Sequence, residues 1–74
     1  MTKSEKYLKL TRAAAVAFGP NQWIPLTTIF DAFYDNYNEV LDLEHYYSHI
    51  CKEYKGVYLL ERSENGTSYR ITAL

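Results

Sequence analysis

The stretch at residues 57–72, VYLLERSENGTSYRIT, decides the fold of this 74-residue chain. Two β-prone runs, residues 57–62 and 67–72, flank the dipeptide Asn65-Gly66. Asn-Gly is a strong hairpin signal because both residues of the tight turn adopt positive φ. We therefore predict a β-hairpin with a two-residue turn in the C-terminal third of the chain.

The two-residue turn also predicts the register of the hairpin. The expected cross-strand pairs are Glu64–Thr67, Arg62–Tyr69, Glu61–Arg70 and Leu60–Ile71. One face of the hairpin is then apolar except near its tip, and the other presents an ion pair between Glu61 and Arg70. Because a two-stranded hairpin is marginally stable alone, its apolar face must pack against helices.

A first helix is predicted over residues 4–18, where apolar side chains recur at helical spacing. Thr2 and Glu5 fit a capping box at its start, and Ser4 is a rival N-cap. Gly19 ends the helix, because glycine tolerates the conformation that closes a helix.

Two further helices are predicted between the first helix and the hairpin. The second helix covers residues 25–37, and the third covers residues 43–55 with Asp42 as its N-cap. In the third helix the apolar stripe is centred on Tyr47, so this side chain is expected to face the core.

Residues 22–24 precede the second helix and form either a single strand or an extended linker that inserts Trp23 into the core. The predicted elements together make an α+β fold. Its length suits one domain over residues 1–74.

Composition excludes several classes of protein. The net charge of −1 excludes a polybasic tail protein, and the single cysteine, Cys51, excludes a disulfide scaffold and a Cys-rich zinc site. The longest uncharged run, residues 13–30, is interrupted by Gly19-Pro20, and no signal peptide precedes it. We therefore expect a cytoplasmic protein without a membrane helix.

Three segments resemble the winged helix-turn-helix superfamily, and the order of elements matches it over nearly the whole chain. Residues 23–27 (WIPLT) resemble its first strand and the start of its second helix, and residues 45–52 (HYYSHICK) resemble its recognition helix. Residues 55–62 and 68–72 resemble its wing. The resemblance implies a three-helix winged helix-turn-helix with a C-terminal two-stranded β-hairpin wing. It also implies duplex DNA as partner, with the third helix in the major groove, although many members are instead protein-interaction modules.

The third helix carries the candidate base-contacting residues. With Tyr47 at the centre of the buried stripe, a step of about 100° per residue locates the outer face of the helix. That face holds His45, Ser48, His49 and Lys52, which all supply hydrogen-bond donors or acceptors. His45 and His49 also have the i, i+4 spacing of a shared metal site, but two ligands are too few, so no metal is predicted.

The candidate phosphate contacts are Lys6, Lys9, Arg12 and Arg62. The first three belong to the one basic stretch of the chain, and Arg62 either reaches a phosphate or stacks on Tyr69. One observation opposes DNA binding. Residues 39–55 contain four acidic and two basic side chains, a net charge of −2, which is unfavourable beside phosphates.

The chain has eight tyrosines, more than a small core can bury. The candidate interface tyrosines are Tyr34, Tyr37, Tyr46 and Tyr58. Tyrosine is enriched at protein interfaces, so a surface of this kind suits a homodimer or a different protein partner.

The sequence contains no Gly-rich phosphate loop and no credible set of nucleophile, base and acid, so neither catalysis nor a cofactor is predicted. The first hypothesis is a small winged-helix protein that binds double-stranded DNA as a transcriptional regulator. The alternative hypothesis is a winged-helix protein-interaction module without DNA binding.

Overall fold

Three helices and three short strands make up the computed structural model, which describes all of residues 1–74. The elements are α1 (Lys3–Phe18), β1 (Trp23–Pro25), α2 (Leu26–Tyr37), α3 (Leu43–Glu53), β2 (Tyr58–Arg62) and β3 (Ser68–Ala73). The fold is therefore α+β, as predicted. The sheet, however, has three strands and not only the two of the predicted hairpin. None of the helices has the length and apolar character that crossing a bilayer requires.

The sheet is antiparallel and its strands lie in the order β1-β3-β2. β1 pairs with the outer edge of β3, where Ile24 lies opposite Tyr69. This third strand covers one edge of the hairpin and ties the start of α2 to the sheet, since the N–H of Leu26 donates to the carbonyl of Thr67 at 2.9 Å.

The predicted hairpin register is confirmed, but the turn is different from the one expected. Leu60 lies opposite Ile71, as predicted. Gly66 has a positive φ of 74° whereas Asn65 does not, so the turn is not the two-residue type that Asn-Gly favours. Instead the N–H of Gly66 donates to the carbonyl of Ser63 at 2.8 Å, in a longer loop built on a β-turn.

The Asn65 side chain stabilises this longer loop. Its Oδ1 accepts hydrogen bonds from the N–H of Thr67 at 3.2 Å, from the Thr67 hydroxyl at 2.7 Å and from the Ser63 hydroxyl at 2.8 Å. The N–H of Ser63 still donates to the carbonyl of Ser68, so the strands enter the loop in the predicted register.

The helix ends follow the local signals in the sequence. The capping box between Thr2 and Glu5 is present, and Gly19 closes α1 with a φ of 87°. Asp42 caps α3 by accepting from the N–H of His45 at 3.1 Å. α3 ends at Glu53, two residues before the predicted end, because the chain continues as a turn.

The core is one cluster of eleven buried side chains drawn from every helix and from two strands. They are Tyr7, Leu10, Ala14, Ile24, Leu26, Ile29, Phe33, Leu41, Tyr46, Ile50 and Tyr69. Of the two alternatives for residues 22–24, the strand is confirmed by β1, and the linker that inserts Trp23 into the core is wrong, because Trp23 is 43% exposed. Neighbouring residues of a strand point to opposite faces, and Ile24 takes the core side. Trp23 lies on the outer face of the sheet, with the guanidinium of Arg70 4.6 Å from its ring centroid.

Candidate nucleic-acid interface

The buried face of α3 is centred on Tyr46 and Ile50, not on Tyr47 as predicted. Tyr46 is fully buried, while Tyr47 and Leu43 are only partly buried. The helix is therefore turned about its axis relative to the expected orientation. This rotation changes which side chains face solvent.

Tyr46 is buried because its hydroxyl has partners inside the protein. It lies 2.6 Å from the hydroxyl of Thr11 on α1 and 2.9 Å from the hydroxyl of Tyr69 on β3. Burial raises the pKa of both tyrosines, so both remain neutral. The prediction that Tyr46 belongs to an exposed interface is wrong. The helical pattern alone could not show that Tyr46 is buried, since the two partners of its hydroxyl lie 35 and 23 residues away in the sequence.

The same rotation turns His45 and His49 toward α1. His45 Nδ1 lies 2.9 Å from the hydroxyl of Tyr7, and His49 Nε2 lies 2.8 Å from the hydroxyl of Ser4. Both imidazoles also make edge contacts with the Tyr7 ring at 5.7 Å. The prediction that they point away from the core is therefore wrong for His49, which is half-buried, whereas His45 remains exposed although its Nδ1 contacts Tyr7.

Ser48 and Lys52 lie on the solvent face of α3, as predicted, and both are exposed. Lys52 has no carboxylate within ion-pair distance. Of the four candidate base-contacting residues, these two have side chains free of intramolecular partners.

Arg62 bends back from the hairpin onto α3. Its guanidinium forms two hydrogen bonds with the Glu44 carboxylate, at 3.0 and 3.4 Å, and lies 5.2 Å from the centroid of the Tyr47 ring. The hydrogen bond to Glu44 raises the pKa of Arg62. The aromatic partner is thus Tyr47 and not Tyr69, and the charge of Arg62 is already matched.

The charge of Lys6 is also paired with a carboxylate of the chain. Its ammonium lies 3.0 Å from a Glu39 carboxylate oxygen and 4.9 Å from the centroid of the Tyr37 ring, and its side chain is only 18% exposed. Lys9 and Arg12 are exposed and have no ion pair. Among the candidate phosphate contacts, Lys9 and Arg12 therefore keep free charges.

These two ion pairs offset part of the acidic charge that opposes DNA binding. Lys6 and Arg62 lie outside residues 39–55 and each neutralises one carboxylate within that segment. The net charge of −2 in that segment becomes zero when the two cations are added.

The basic side chains without an ion pair are confined to two places. They are Lys3, Lys9, Arg12, Lys52 and Lys55. The first three belong to α1, and the last two lie at the end of α3 and just after it. α1 and α3 pack directly against each other, so the unmatched positive charge is concentrated on one pair of helices.

The four candidate interface tyrosines do not form one surface. Tyr34 is 52% exposed on α2 beside Asp31 and Asp35, and Tyr37 packs its ring against Phe33 at 5.3 Å. Tyr58 lines a different depression, between α1 and the hairpin. With Tyr46 buried, only Tyr34 and Tyr58 offer exposed rings, and they lie on separate parts of the surface.

The contact between Ser4 and His49 does not have the geometry of a catalytic relay. The Glu53 carboxylate lies 3.8 Å from Nε2 of His49, the same nitrogen that contacts the Ser4 hydroxyl. A relay needs the acid at one imidazole nitrogen and the nucleophile at the other. No three side chains of the types that bind metals are gathered in the structure.

No protein-family model, curated protein or solved structure matches this chain. Its function is therefore inferred from the placement and pairing of its side chains.

Proposed function

We propose that this chain is a winged helix-turn-helix protein that binds duplex DNA as a transcriptional regulator, with the solvent face of α3 in the major groove. The observation that carries the proposal is the confinement of every unpaired basic side chain to α1 and the end of α3. Contacts between cations and phosphates supply most of the affinity of DNA-binding proteins, so this is the surface that DNA would favour.

Lys9 and Arg12 on α1 and Lys52 and Lys55 at the end of α3 are the proposed cations of the interface. Three other basic side chains are matched by carboxylates within the chain, so an incoming phosphate would have to displace those carboxylates. We therefore exclude Lys6 and Arg62 from the proposed phosphate contacts.

Base recognition is assigned to Ser48 and to the exposed edge of His45, whereas Lys52 is counted among the phosphate contacts. His49 instead supports the position of α3 by its contact with Ser4. The solvent face of α3 has no Arg, Asn or Gln, the side chains that make the most discriminating bidentate base contacts. We therefore expect the proposed complex to discriminate only modestly between DNA sequences.

Fluorescence anisotropy with a generic duplex of about 20 base pairs tests the proposal, with NaCl varied between about 50 and 200 mM. Four phosphate contacts predict a slope of about −3.6 when the logarithm of affinity is plotted against that of salt concentration. The proposal fails if the protein does not bind at the lowest salt concentration.

A matched pair of lysine variants tests the proposed surface. Lys9→Ala should make the salt slope shallower by about one unit because it removes one released counterion. Lys6→Ala should leave the slope unchanged, since Lys6 is already paired with Glu39 at 3.0 Å. Equal effects of the two variants would contradict the assignment of charges.

A protein-interaction module is the second candidate function, and the exposure of Tyr34 favours it. This ring lies on α2 between Asp31 and Asp35, neither of which has an ion pair. Absence of DNA binding at low salt would make this surface the first place to seek a partner.

A further inference from the structure

An open groove separates the C-terminal half of α1 from the hairpin. We call it the α1 groove, and its lining includes Ala15, Val16, Tyr54, Tyr58 and Ile71, with Arg12 at one end. Val16 stands on its rim with 85% of the residue exposed. The surface therefore presents an aliphatic projection directly beside an apolar depression.

The C-terminal half of α1 is apolar on every side. Residues 13–18 read AAAVAF, and only Ala14 of these is fully buried. Ala13, Ala17 and Phe18 are exposed together with Val16. A helix that is hydrophobic all round is normally covered on all sides, but this chain covers only one side.

We propose that a second copy of this chain covers the groove, in a homodimer related by a two-fold axis beside Val16. A two-fold interface requires one patch to be complementary to itself. The patch around the α1 groove meets this requirement, because Val16 of each copy can enter the groove of the other. Two α1 helices then pack antiparallel across the axis.

Charge supports the antiparallel arrangement. The last turn of α1 contains no basic residue, so no side chain of that turn balances the partial negative charge of its C-terminal carbonyls. Arg12 lies one helical turn before Val16 and has no ion pair. Antiparallel packing about Val16 brings Arg12 of each copy to the C-terminus of the partner's α1, and symmetry makes this contact twice.

The dimer goes beyond the proposed function and does not depend on it. If the chain binds DNA, a two-fold dimer presents two copies of α3 to two half-sites. Arg12 then belongs to the dimer interface, Lys9, Lys52 and Lys55 remain for phosphates, and the expected salt slope per protomer becomes about −2.7.

Sedimentation equilibrium of the whole protein without DNA tests the dimer, with the two exposed valines as matched variants. The wild-type mass should approach twice 8.7 kDa as concentration rises. Val16→Glu should remain monomeric with an unchanged helical circular dichroism spectrum. Val40→Glu should dimerise like the wild type, because Val40 is 72% exposed in the connection between α2 and α3, away from the α1 groove.

Two smaller changes separate the interface from any effect on folding. Val16→Ala increases helix propensity and should weaken dimerisation about tenfold or more, because apolar contacts are lost on both copies. Arg12→Ala should weaken dimerisation at low salt but not at high salt, since contacts with helix termini are screened.

A wild-type protein that is monomeric at about millimolar concentration would overturn the proposal, since it corresponds to an association weaker than about 4 kcal/mol. Equal dimerisation of Val16→Glu and the wild type would also overturn it. If only the Arg12→Ala result fails, the antiparallel two-fold arrangement is wrong.

Discussion

The Tyr46 hydroxyl lies at the centre of a buried chain of hydrogen bonds that joins α1, α3 and the sheet. The Thr11 hydroxyl donates to the Tyr7 carbonyl at 2.8 Å, so its one proton is used. The Tyr46 hydroxyl must therefore donate to Thr11 Oγ1 at 2.6 Å, and the Tyr69 hydroxyl then donates to Tyr46 at 2.9 Å. Because of this order of donors, removal of the Tyr46 hydroxyl should cost more stability than removal of the Tyr69 hydroxyl.

Replacing Tyr46 by phenylalanine breaks two hydrogen bonds and leaves the Tyr69 O–H without an acceptor in a site that is 0% exposed. Two net hydrogen bonds and an unsatisfied buried donor cost about 2–4 kcal/mol of unfolding free energy. Tyr69→Phe breaks one hydrogen bond and leaves the Tyr46 proton bonded to Thr11. Its cost should be about 1 kcal/mol.

Urea unfolding followed by circular dichroism measures these costs for the wild type, both single variants and the double variant. The double variant should lose less unfolding free energy than the two single variants together, because it contains no Tyr69 hydroxyl without an acceptor. Each kcal/mol corresponds to about 4–8 °C in Tm for a domain of this size. Equal costs for the two single variants, or strict additivity in the double variant, would refute the order of donors.

Three further results are expected. Burial raises the pKa of Tyr46 and Tyr69, so their contribution to stability should be constant up to about pH 10 and then fall. The unfolded tyrosines ionise first, so the loss approaches about 1.4 kcal/mol per pH unit for each hydroxyl. Urea unfolding at several pH values above this point should show that the double phenylalanine variant loses less stability than the wild type. An equal loss in both proteins would contradict the raised pKa values of the two tyrosines. Glu44→Gln releases Arg62 from an exposed ion pair, so stability should change by less than about 1 kcal/mol. If the proposed DNA binding holds, its salt slope should become about one unit steeper, and an unchanged slope would mean that Arg62 does not reach a phosphate. Asn65→Ala removes the acceptor that organises the hairpin loop and should lower the free energy of unfolding in urea by about 1 kcal/mol. An unchanged free energy of unfolding would show that the loop does not need these hydrogen bonds.

The predictions of helix caps, which depend on neighbouring residues, were accurate. The capping box of Thr2 and Glu5 and the cap at Asp42 involve side chains within three residues of their partners. The hairpin register was also correct, although its turn was not. The Asn65 side chain accepts hydrogen bonds from residues of the loop, which is longer than the predicted turn. This longer loop preserves the same strand pairing.

Predictions that depended on which face of an element is buried were less accurate. Periodicity could not choose between Tyr46 and Tyr47, because both are aromatic and a shift of one residue keeps much of the apolar stripe. The choice depended on Thr11 and Tyr69, which accommodate the Tyr46 hydroxyl inside the core. The alternative that inserted Trp23 into the core failed in the same way, because Ile24 and not Trp23 faces the core.

By itself, the sequence determined the three helices, the capped starts of the first and third, and the paired hairpin strands, because short-range hydrogen bonding specifies them. Only the tertiary structure decided which charges are free. The ion pair of Lys6 with Glu39 spans 33 residues, and that of Arg62 with Glu44 spans 18. Such pairs depend on how the helices and the hairpin pack, so a count of charges along the chain could not show that the unmatched cations lie on α1 and at the end of α3.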